Sequence, residues 1–117
     1  MSSEECWRSE TVVPILHTEA YETATAWYER WGFHIERIHR FEPELPAFVT
    51  IARGSNRLFL SEHDGDASPD TLVYMYVPDV RDIARTFGVE VHTTPWAHEI
   101  ELDDPDGNRL RIGTARS

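Results

Sequence analysis

The sequence predicts an α+β fold: two βαβββ modules forming curved mixed sheets around a cleft, paired as a homodimer. Three observations predict it. One order of apolar runs and turns occurs twice along the chain, short strings agree between the two passes, and each pass holds a single helical stripe among strand-like runs. Thr11-Val12-Val13 answers Thr71-Leu72-Val73, Trp31-Gly32-Phe33 answers Phe87-Gly88-Val89, and Asn56-Arg57-Leu58 answers Asn108-Arg109-Leu110. The offset shrinks from 60 to 56 to 52, as expected if the second copy has shorter loops.

In the first module, Thr11 to Leu16 reads as a strand with Pro14 marking an edge or bulge. Thr18 offers an N-cap, Glu19 and Glu22 fill a first helical turn, and Ala20, Ala24, Trp27 and Trp31 share one face. Gly32 is expected to close that helix. Strands follow over Phe33 to Arg40, Ala47 to Ala52 and Arg57 to Ser61, the last two separated by the turn Arg53-Gly54-Ser55-Asn56. In the second module, Thr71 to Val77 is a strand and Pro78-Asp79 opens a helix. Val80, Ile83, Ala84 and Phe87 form its stripe, and Gly88 ends it. Val89 to Thr93, Ala97 to Leu102 and Asn108 to Gly113 are the remaining strands, with a strong turn at Asp104-Pro105-Asp106-Gly107-Asn108. The chain, residues 1–117, is thus expected to be a single domain with modules at about 11–62 and 71–113 and a polar linker at about 63–70. Trp27, Tyr28, Trp31, Phe33, Phe59 and Phe87 are assigned to the core. So short a chain leaves sheet edges and crevice walls half built, and pairing with a second copy completes them.

Composition excludes several classes of function. At 117 residues with 40% hydrophobic and 27% charged content, there is enough apolar material for one core, so wholesale disorder is excluded. No apolar run approaches the roughly 20 residues that cross a bilayer, and Met1 to Cys6 is acidic, not apolar, so a cytoplasmic protein without a membrane partner is expected. The single cysteine, Cys6, permits no internal disulfide or cysteine zinc cluster. All eleven basic residues are arginines against 21 acids, and the net charge is −10. Only Arg37, His39 and Arg40 group loosely, so nucleic acid is not expected as a partner. An acidic surface favours a cationic ligand, although acidity also serves solubility alone. The six histidines, His17, His34, His39, His63, His92 and His98, are scattered, and His98 and Glu99 alternate across a strand, so no metal-binding spacing emerges. Nor does a nucleophile–base constellation.

Val12 to Leu16, Trp27-Tyr28-Glu29-Arg30-Trp31-Gly32-Phe33, Arg57 to Ser61, Thr71 to Val77, Pro95-Trp96 and Ile100 to Ile112 together carry a resemblance. From Thr11 to Gly113 the chain resembles the glyoxalase/bleomycin-resistance (vicinal-oxygen-chelate) superfamily, and within it the small bleomycin-binding resistance proteins. The Asp-Pro-Asp-Gly-Asn turn marks the superfamily; Pro95-Trp96 and the aromatic fifth strand point towards drug binding. The superfamily's enzymes hold a divalent metal at four strand positions. These fall here at or near Val13, Phe59, Leu72 and Arg111, none of which binds such a cation, and Arg111 would repel one. No cofactor is therefore expected, and the protein is not expected to be an enzyme.

The resemblance implies a homodimer with crevices between subunits that grip a drug's flat bithiazole and cationic tail. Phe48, Ser61, Tyr74 and Trp96 are the ligand-binding positions it carries over; Tyr74 and Tyr76 share a face, and the sequence does not say which lines the crevice. Glu36, Asp70, Asp103 and Asp106 are candidate acids for the guest's charge. The expected function is sequestration of a cationic planar antibiotic of the bleomycin family without turnover. The alternatives are binding of another flat natural product and a metal-dependent glyoxalase-like lyase or dioxygenase.

Overall fold

The computed structural model describes residues 10–40 and 42–116; Cys6 lies outside them. Among the described residues, ten elements follow one another as the doubled pattern requires. They are β1 (Ile15–His17), α1 (Tyr21–Glu29), β2 (His34–His39), β3 (Phe48–Arg53), β4 (Asn56–Ser61), β5 (Leu72–Tyr76), α2 (Val80–Phe87), β6 (His92–Thr93), β7 (Ala97–Asp103) and β8 (Arg109–Ala115). They form two mixed four-stranded sheets with the same internal order, β1-β4-β3-β2 and β5-β8-β7-β6. In each, the first strand runs parallel to the last and the other pairings are antiparallel.

Period-two alternation gives each sheet one apolar face under its helix and one open face. In the first sheet, Leu16, Val49, Ile51, Leu58 and Leu60 are sealed. In the second, Met75, Ile100, Leu102, Leu110 and Ile112 do the same work, and one apolar cluster contains both sets. The helices meet through rings: Trp27 and Phe87 lie 5.3 Å apart, and the Arg30 guanidinium sits 4.4 Å over Phe87. Polar ties complete the union. The buried Tyr28 hydroxyl donates to Asp104 Oδ2 at 2.7 Å, Asn108 Nδ2 to the His17 carbonyl at 2.9 Å, and Asn56 Nδ2 to the Tyr76 carbonyl at 2.9 Å.

Several local expectations are corrected. Thr18 does not cap α1. Its backbone N–H donates to the Ser61 carbonyl, prolonging the contact of β1 with β4, and the helix starts later, from an extended Ala20 without a side-chain cap. The role passes to Glu62, whose carboxylate accepts the Tyr21 N–H at 2.9 Å as well as donors from Ala47 and Arg40. Burial pushes Glu62 up, but these donors together hold it below its ordinary value. At the other end, α1 finishes at Glu29 with Arg30 as its C-cap, before the chain reaches Gly32. Gly32 has φ 103°, and a Cβ there would stand 3.0 Å from Arg53 Nε, the atom that donates to the Trp31 carbonyl. The first strand begins at Ile15, after Pro14, and Val89 to Thr93 supplies only the two residues of β6. Phe59 is not in the core under α1: it stands half-buried on the open face, 5.0 Å from Phe48. The second helix follows expectation, with Asp79 accepting the Arg81 N–H and Gly88 left-handed at φ 65°.

Candidate functional site

The open face of the second sheet gathers aromatic rings around one acid. Register sets Tyr76 opposite Gly113 and Gly113 opposite Glu99, in a row across β5, β8 and β7. Tyr74 is two residues from Tyr76 on the same strand, so both phenols stand on this face, their rings 5.1 Å apart. The Tyr74 hydroxyl donates to Glu99 Oε2 at 2.6 Å, and Trp96 Nε1 donates to the same oxygen at 3.0 Å. Glu99 is only 9% exposed, whereas Tyr76 and Trp96 are 54% and 58% exposed. The result is a wet aromatic shelf above a nearly buried carboxylate. Partial desolvation, together with the Glu99 carboxylate that accepts its proton, pushes the Tyr74 phenol up to about 12.

Gly113 makes this arrangement possible. A Cβ there would overlap the Tyr74 hydroxyl and crowd Ala97 Cβ at 3.3 Å. Gly113→Ala is therefore expected to lift the phenol off Glu99 and return its pKa from about 12 towards 10.0, read by ultraviolet titration of the tyrosines. The sign for stability follows. A phenol whose folded pKa is raised stabilises fully below pH 10.0, and that contribution is lost as pH rises through about 12. The variant should lack this alkaline loss.

The four ligand-binding positions read from the sequence fall into two pairs. Tyr74 and Trp96 meet through Glu99. Phe48 and Ser61 are register partners on β3 and β4 of the first sheet. Among the described residues no ring contact or hydrogen bond joins one pair to the other. Ser61 is fully buried; its hydroxyl donates to Asp66 Oδ2 at 2.6 Å and accepts from the His63 N–H, so it holds the following loop. Of the four candidate acids, Glu36 is paired with Arg57 at 2.9 Å, Asp70 with Arg109 at 3.1 Å, and Asp106 accepts the Glu19 N–H. Asp103 is exposed on β7. The acid the rings surround is Glu99, which the sequence shows only as a strand residue alternating with His98. Alternation along β7 was the available signal, but the partner Tyr74 lies 25 residues away.

A cleft of about 930 Å³ opens beside the shelf, between the segment Thr11 to Pro14, the β3–β4 turn and β5, with Tyr74 in its wall. The four positions expected to bear metal ligands do not fit a divalent ion. Register sets Phe59 opposite Ile15 and Arg111 opposite Tyr74, and Arg111 donates twice to Glu101 Oε1. Alkyl, phenyl, guanidinium and a firmly protonated phenol make no donor set. Among the described residues no group of three or more His, Cys, Asp or Glu side chains is placed to hold a metal ion. Among them, too, no helix is long and apolar enough to cross a membrane.

Two βαβββ units, each forming a mixed four-stranded sheet, define a class, and comparison identifies it. The chain belongs to the glyoxalase superfamily: the family described as "Glyoxalase superfamily protein" matches residues 5–117. Its fold is shared with a bleomycin-binding protein solved in complex with bleomycin (19% identity over 92% of this chain and 99% of that one, TM-score 0.72). It is shared also with TnmS3, an antibiotic-binding protein from Streptomyces sp. CB03234 (20% identity, 89% and 93%, TM-score 0.71). A lactoylglutathione lyase from Agrobacterium tumefaciens has the same architecture (19% identity, 91% and 93%, TM-score 0.65). At such identities the likeness is one of fold. No curated protein matches the sequence.

Proposed function

We propose that this protein sequesters a flat, cationic small molecule of the bleomycin type, without chemical turnover, on the shelf formed by Tyr74, Tyr76 and Trp96. The observation that carries the reading is Glu99, a nearly buried carboxylate with two aromatic donors fixed on one oxygen beneath exposed rings. A planar heteroaromatic laid on these rings loses apolar surface to water, with each stack contributing ~1–3 kcal/mol. The carboxylate orients the positive charge, and the −10 net charge steers it in. The bleomycin-bound neighbour of the same fold supports the choice of guest.

In this reading the working unit is a homodimer in the cytoplasm. Phe48 and Phe59 of one copy face the shelf of the other, which would unite the two aromatic sets that one chain keeps on separate sheets. Neither nucleic acid nor membrane takes part. The donor chemistry at Val13, Phe59, Leu72 and Arg111 argues against a metal-dependent lyase or dioxygenase.

Calorimetric titration with copper-free bleomycin is expected to show one guest per chain. A dissociation constant weaker than about 100 μM, only ~5.5 kcal/mol, would remove this drug and leave another flat natural product to be found from a panel.

A further inference from the structure

We propose that Thr94 and Arg116 are positioning residues of the aromatic shelf: they fix the backbone that carries Trp96, so that its indole is in place before a guest arrives. The inference rests on the shelf being a binding site and names what orders it. Trp96 stands in the link between β6 and β7, where Thr93 pairs with His98 and the chain turns through Thr94-Pro95-Trp96-Ala97. The favoured tight hairpin turns need a positive φ at their first central residue, and proline, fixed at about −65°, cannot supply it. Trp96 has no positive φ either. Side chains close the link instead.

One backbone bond spans the turn, from the Thr94 N–H to the Ala97 carbonyl at 2.8 Å. The Ala97 N–H does not return to the Thr94 carbonyl. It donates to Thr94 Oγ1 at 3.0 Å, and the same oxygen accepts the Trp96 N–H at 3.4 Å. The Thr94 carbonyl is taken by Arg116 Nη1 at 3.0 Å, and the Trp96 carbonyl by the Arg116 backbone N–H at 3.0 Å. The hydroxyl thus holds the turn from within, while Arg116, directly after β8, pins it from outside at two points. The indole depends on this support, being 58% exposed and anchored through its side chain by one hydrogen bond, from Nε1 to Glu99 Oε2. Were the ring left for a guest to order, part of the stacking free energy would go into immobilising it and binding would weaken.

The test labels the protein with 5-fluorotryptophan and assigns the Trp96 fluorine resonance by Trp96→Phe. Copper-free bleomycin is titrated into the wild type, Thr94→Val, Thr94→Ser, Arg116→Ala, Trp96→Ala, and Trp96→Ala combined with Thr94→Val. Thr94→Val keeps the shape of the side chain and removes the hydroxyl. It should broaden or split the Trp96 resonance, leave those of Trp27 and Trp31 unmoved, and weaken binding about threefold to tenfold. Thr94→Ser should restore both. Arg116→Ala keeps the backbone donor and should disturb the same resonance with a loss of about twofold. Once Trp96 is alanine, adding Thr94→Val should cost almost nothing further, because it acts through the indole. A Trp96 resonance unmoved in Thr94→Val and Arg116→Ala overturns the proposal, as does a full loss from Thr94→Val after the indole is gone. Failure of the wild type to bind, or full affinity in Trp96→Ala, overturns the shelf as a site, while the resonances still decide whether Thr94 and Arg116 hold the ring.

Discussion

Replacing Asp104 with alanine is expected to destabilise the fold by about 3–5 kcal/mol. Asp104 is 5% exposed and accepts four hydrogen bonds: from the Tyr28 hydroxyl at 2.7 Å, Asn108 Nδ2 at 3.0 Å, and the backbone N–H groups of Asp106 and Asn108 at 2.9 and 3.0 Å. Alanine strands all four donors. The Tyr28 and Asn108 side chains are fully buried and have no water to turn to. Burial, the largest cause of the Tyr28 phenol standing well above its ordinary value, persists in the variant, so the phenol cannot relieve the defect by ionising at neutral pH. Tyr28→Phe removes one donor and leaves the carboxylate three, so it should cost less, about 1.5–3 kcal/mol. Urea unfolding separates the two: the midpoint should fall much further for Asp104→Ala, at unchanged slope. Equal losses would mean that the turn at 104–108 closes on itself and that its tie to α1 carries the whole effect.

Trp96→Ala is expected to do the reverse, sparing the fold and weakening binding of the flat cation by about 1–3 kcal/mol. The indole is 58% exposed and is held by one side-chain hydrogen bond, to Glu99. Its removal should shift stability by no more than about 0.5 kcal/mol. Trp96→Phe keeps a ring and loses the N–H, so it should recover part of the affinity. Calorimetry with bleomycin beside urea melts of the same samples decides the matter. Undiminished affinity in Trp96→Ala would take this residue out of the site.

The parts of the structure that depend on neighbouring residues were readable in the sequence. Asp79 before Val80 and Gly88 after Phe87 bound a helix by local chemistry alone, and the turn from Asp104 to Asn108 declares itself through Pro, Gly and Asn. The doubled order of elements was equally plain, because period-two and helical stripes recur with matching strings. What failed depends on distant partners. Thr18 has the chemistry of a cap, yet the Ser61 carbonyl claims its N–H and Glu62 serves the helix instead. Phe59 looks like core by type, but register with Ile15 and Thr50 turns it to the open face. Glu99 reads as an ordinary strand acid until β8 brings Tyr74 across glycine to meet it.

The ties between the ends of the chain also dictate an order of assembly. Asn108 reaches back 91 residues to His17, Asp106 reaches 87 to Glu19, and Asp104 reaches 76 to Tyr28. As the chain leaves the ribosome, β1 and α1 emerge long before the segment that completes them. Contacts so far apart in sequence make closure slow, because loop entropy is lost before the bonds return it. Until residue 108 is free, the first half waits with the Tyr28 hydroxyl and His17 carbonyl unmet, and it is the turn at 104–108 that locks it.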